Sequence, residues 1–142
     1  MEIWIILLLG LILGTFALFS IFRVPQFQKK QAISAKDLET ATKKWQEIEE
    51  LVSLGKPSTL KSAVIEADKL LAFALGRMGY QGTLGQRLVL AKTRFSDYSG
   101  VWQAHKIRNQ IVHDLEGDVL HFHAHDAINK FRKAFRDLGV LR

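Results

Sequence analysis

The stretch "KIRNQIVHD", residues 106–114, carries the residue types and spacing most suited to chemistry. Arg108 and Asn109 are adjacent, and His113 follows Arg108 by five positions. A guanidinium can grip a phosphate through two parallel N–H donors and stabilise charge that develops on it. An imidazole can accept or return a proton near neutral pH. The three residues are therefore a candidate catalytic set for phosphodiester cleavage without a metal, with Asn109 orienting His113 or holding the phosphate. A structural reading competes with this one. Val101, Ala104, Arg108, Ile111 and Val112 share one face of a helix. A guanidinium on a core-facing side needs acceptors, because an unpaired buried charge is very costly. "EADK" offers Glu66 and Asp68 from an earlier helix. The anion that meets Arg108 is either one of these carboxylates or a ligand phosphate.

His105, Asn109 and His113 follow one another at steps of four and run down one side of the same helix. A side-chain amide among them can hold an imidazole in one tautomer. Residues five apart lie about 140° from each other on an ideal helix. Arg108 and His113 therefore converge only where the helix ends or distorts, or where Arg108 reaches around. Asp114 and Gly117 favour an end there. "HFHAH", residues 121–125, raises a metal question. On a helix only His121 and His125 share a face, which is half of a tetrahedral zinc site, and Asp126 or His113 would have to complete it. The segment reads instead as a solvated helix start, and neither a metal nor a cofactor is expected.

These residues must be positioned by helices. The chain has 142 residues, two prolines and no cysteine, which leaves no disulfide and no thiolate metal site. Ser34 and Asp37 form an S-x-x-D start, and Leu38, Ala41, Trp45, Ile48 and Val52 make an apolar stripe over residues 35–53. Gly55 and Pro57 end this helix. A second helix begins after Ser58 and buries Leu60, Ala63, Val64, Ala67, Leu71, Ala74, Leu75 and Met78. "GYQG" turns the chain, and Thr83 with Gln86 opens a shorter helix. The fourth helix spans about residues 100–113. The fifth spans about 122–138, with Ala124, Ile128, Phe131, Phe135 and Leu138 inward and Lys130, Arg132, Lys133 and Arg136 outward. Short connections imply antiparallel neighbours. The expected architecture is all-α, an antiparallel bundle of four to five helices over residues 34–142.

The first segment is of another kind. Residues 3–22 form an uncharged apolar run of 20 residues, long enough for a hydrocarbon core of about 30 Å. With only Met1 and Glu2 ahead of it, the run lacks the basic start of a cleaved signal peptide and reads as an uncleaved transmembrane anchor. Arg23, Lys29, Lys30 and Lys36 follow it, which places the N-terminus outside and the remainder on the cytoplasmic face. Gly10 and Gly14 form a G-x-x-x-G strip on which two membrane helices can pack closely. Residues 23–33, with Pro25, read as a linker. Glu2 is the only charged side chain before Arg23, so residues 23–142 carry +7 against +6 for the whole chain. That balance favours anionic partners, either RNA or membrane lipid.

The arginine, the polar residue directly after it and a histidine after four intervening positions resemble the signature of the HEPN superfamily of helical nucleotide-binding domains. "SAVIEADKLLAFALGRMGY" is similar to the long early helix of such domains. "WQAHKIRNQIVHD" is similar to the motif helix and "AHDAINKFRKAF" to the closing one. The resemblance covers roughly residues 58–139. It implies a homodimeric helical bundle with paired motifs near the interface. It also implies an RNA-binding protein or metal-independent endoribonuclease in which Arg108, Asn109 and His113 act on RNA; Glu66, Asp68 and His105 are the supporting residues that the helix positions themselves suggest. An antitoxin or other protein partner would fit the same family. Many members lack catalysis and serve as binding or assembly modules, and the membrane run departs from the soluble toxins. The alternative expectation is a non-catalytic dimeric interaction or scaffold module at the cytoplasmic face of a membrane.

Overall fold

The computed structural model describes residues 32–113 and 121–142. The membrane-anchor reading of residues 3–22, with Gly10 and Gly14, lies outside the described residues. Among the described residues no helix is long and apolar enough to cross a membrane. Those residues form five α-helices and one 3₁₀ turn, with no strand.

Helix α1 spans Ala35–Ser53. Ser34 caps it, its hydroxyl oxygen accepting from Asp37 N–H at 3.1 Å. Only half of a reciprocal capping box forms. The Asp37 carboxylate accepts from the Ser34 hydroxyl at 2.7 Å and pairs with Arg77 at 3.3 Å. Gly55, at φ 65°, supplies the left-handed step that ends the connection. Helix α2 spans Pro57–Arg77, starting earlier than Ser58 because Pro57 takes the first helical position. A missing N–H costs nothing there, and the fixed φ is already helical. Helix α3, Leu84–Leu90, opens on the expected reciprocal box between Thr83 and Gln86. The 3₁₀ turn Lys92–Arg94 then leads to α4, Tyr98–His113, and α5 follows as His121–Asp137.

Helix α2 is the hub: it packs against α1, α3, α4 and α5, and α4 also packs on α5. This explains why α2 buries a broad face and leaves only a narrow polar side with Ser62, Glu66 and Lys69. Its buried residues include Ala63, Ala67 and Ala74, whose small side chains let neighbours approach. Pairings fix the directions. Arg77 at the end of α2 meets Asp37 at the start of α1, Thr42 and Glu49 meet Val140 and Arg132, and Ser96 and Gln103 meet Asp137 and Lys130, so α1 runs antiparallel to α2 and to α5, and α4 antiparallel to α5; the Trp45 ring lies tilted against Phe135 at 5.1 Å. Phe131, Phe135, Ile48, Leu60, Leu71, Leu75 and Leu88 fill the centre of the core. Trp45 is a core residue, whereas Trp102 packs at the bundle edge between Tyr98 and His105.

Candidate functional site

The site is built on one buried charge. Leu60, Val64, Asp68, Leu71 and Leu75 follow a single stripe of α2, and Asp68 is only 5% exposed within it. A carboxylate in that position needs compensation, and α4 supplies a hydrogen-bond partner and a cation. His105 Nδ1 lies 2.7 Å from Asp68 Oδ1. Arg108 Nε lies 3.4 Å from Oδ2; this Nε is buried and forms no hydrogen bond, so the contact is coulombic.

Asn109 closes the circuit. Arg108 Nη1 donates to Asn109 Oδ1 at 3.0 Å, and Asn109 Nδ2 lies 3.4 Å from His105 Nε2. Asp68, His105, Asn109 and Arg108 thus form a ring of three hydrogen-bond contacts closed by the Arg108–Asp68 ion pair. The ring is consistent with one form of His105, with the proton on Nδ1 facing the carboxylate and a bare Nε2 accepting from the amide. Trp102 walls it from one side, its ring edge-on to the imidazole at 5.9 Å.

The sequence-derived residues divide as follows. Asp68, His105, Arg108 and Asn109 come together. Glu66 pairs with Lys69 on the surface at 2.7 Å and takes no part. His113 is exposed in the last turn of α4. Helical geometry persists through His113, so the separation of about 140° between residues five apart is retained. Arg108 turns inward to Asp68 while His113 stays outside. The direct Asp68–His105 pairing was not foreseen from sequence. Its signal was present all the same, since Asp68 lies on the apolar stripe of α2 and His105 one turn before Asn109 on α4.

Among the described residues no three His, Asp or Glu side chains converge as metal ligands. Three of the basic residues on α5 already have partners, Lys133 pairing with Asp97 at 3.9 Å. Lys130 bonds Asp126 and Gln103, and Arg132 pairs with Glu49 and lies over the Trp45 ring. The ring of Asp68, His105, Asn109 and Arg108 belongs to a chain that no family model, curated protein or solved structure matches.

Proposed function

We propose that this chain is a membrane-tethered, HEPN-like helical module that works by binding rather than by catalysis. The observation that carries this reading is the commitment of Arg108 to Asp68 and Asn109, at 3.4 and 3.0 Å, while His113 stands apart and exposed. A guanidinium that neutralises a buried carboxylate is not available as a phosphate clamp without stranding that carboxylate. The likeness of the motif helix to HEPN domains supports the fold assignment, and the run at residues 3–22 supports the tether, with residues 23–142 on the cytoplasmic face. Val89 and Leu90 on α3, 58% and 56% exposed, and Val112 on α4 give the module apolar surface for a second copy or another protein.

A second reading, the metal-independent endoribonuclease, draws on one observation. The Arg108 side chain keeps 29% of its surface exposed, and no hydrogen bond engages its Nη2 among the described residues. One experiment separates the two readings. Purified full chain is incubated with RNA in the presence of a chelator, beside the His113→Ala and Arg108→Met variants. The binding-module reading expects no cleavage above the variants. Cleavage that His113→Ala abolishes without lowering the melting temperature would establish the ribonuclease instead.

A further inference from the structure

We propose that the groove between α1 and the C-terminal end of α5 binds the headgroup of an anionic phospholipid. Trp45 and Glu49 of α1 line it on one side, and Arg132, Arg136, Leu141 and Arg142 on the other. Three guanidinium groups therefore share the groove with one carboxylate side chain, that of Glu49. That carboxylate is already engaged: Glu49 accepts from Trp45 Nε1 at 2.9 Å and pairs with Arg132 at 3.5 Å. Arg132 is held in turn over the Trp45 ring, 5.6 Å from its centroid. The Arg136 and Arg142 side chains make no hydrogen bond or ion pair among the described residues, and both are exposed. Two uncompensated guanidinium groups beside a fixed third suit a phosphodiester, which each can meet with paired N–H donors.

Placement favours a lipid as the source of that phosphate. Thr42 Oγ1 donates to the Val140 carbonyl at 3.3 Å, so the segment after α5 lies against the first half of α1, the helix that the linker enters. The lipid source rests on the membrane-anchor reading: the 11-residue linker 23–33 joins the start of α1 to the apolar run and reaches at most about 40 Å when extended. Leu141 gives the groove an apolar wall suited to the acyl side of a lipid and of no use to a free phosphate. A single-stranded RNA would want exposed aromatic rings for stacking, whereas Trp45, the one aromatic here, is 2% exposed.

The test uses full chain in a non-ionic detergent. Native mass spectrometry counts added phosphatidylglycerol or phosphatidylcholine, and parallel titrations use inorganic phosphate and a short RNA oligonucleotide. The expected result is preferential binding of phosphatidylglycerol that weakens roughly 30-fold in Arg136→Gln/Arg142→Gln. The charge-matched control Lys61→Gln/Lys69→Gln, on α2, should bind within twofold of the parent. Equal losses in the two double variants, or no preference for the anionic lipid, would overturn the proposal. So would arginine-dependent binding of inorganic phosphate or RNA that matches or exceeds that of the lipid. Alkaline carbonate extraction of membranes tests the anchor separately. A chain that washes off membranes yet keeps arginine-dependent phosphatidylglycerol binding removes the tether and leaves the headgroup site standing.

Discussion

Asp68 and His105 meet at 2.7 Å across the packing of α2 against α4, joining the most buried carboxylate of the described residues to the helix that carries Arg108 and Asn109. A one-turn slip of α4 along α2 would strand the Asp68 charge. The contact therefore sets the register of the two helices more than it adds net stability, since desolvating a charged pair offsets most of its attraction.

Removing the cation should expose this dependence. Arg108→Met leaves the 7%-exposed Asp68 side chain with His105 alone. The expected loss is about 2–3 kcal/mol, below the range for fully buried pairs because Arg108 is partly in water. Urea unfolding of the full chain in detergent measures it. A stability unchanged within about 0.5 kcal/mol would return Arg108 to the role of a free, ligand-facing group.

The two histidines of the motif helix should behave oppositely. His105→Ala removes the partner of both Asp68 and Asn109 and the ring packed on Trp102, and should cost about 2 kcal/mol. His113→Ala, at an exposed helix end, should stay within about 0.5 kcal/mol of the parent. Thermal melting of both variants side by side decides the point; equal effects would contradict the assigned ring.

The ring also dictates a tautomer. Neutral His105 is expected to carry its proton on Nδ1, with Nε2 accepting from Asn109. Long-range proton–nitrogen NMR distinguishes the two nitrogens. A proton on Nε2 would mean that the Asn109 amide is turned over and that the link to Arg108 is broken.

Gly76 offers a test by reversal of sign. The Arg87 guanidinium lies over it and donates to the Ala72 carbonyl, and a Cβ at Gly76 would come within 2.7 Å of Arg87 Nη1. Gly76→Ala should destabilise by about 1 kcal/mol, the lost charged hydrogen bond outweighing the gain in helix propensity. With Arg87 replaced by Ala, only the propensity remains, and Gly76→Ala should stabilise by about 1 kcal/mol. The same sign in both backgrounds would rule out the Arg87 contact.

The amino-acid sequence alone determined which segments are helical and which way each faces. The stripes Ala41–Trp45–Ile48 and Ala124–Ile128–Phe131–Phe135 point inward because apolar residues at helical spacing leave water only as one face. The Thr83–Gln86 box was equally legible, since its two hydrogen bonds join residues three apart. The start of α2 was misplaced by one turn feature, the tolerance of a first helical position for Pro57. What lay beyond the sequence was the choice of partner for Arg108. Local spacing offered Glu66 and Asp68 equally, and a phosphate besides. The choice fell to the direction in which α4 crosses α2, which turns Asp68 into the core and leaves Glu66 beside Lys69 in water. Spacing along a helix fixes only the angle of each side chain about its own axis; which carboxylate it meets depends on the rotation and register of a second helix, and these are set by packing of the whole core.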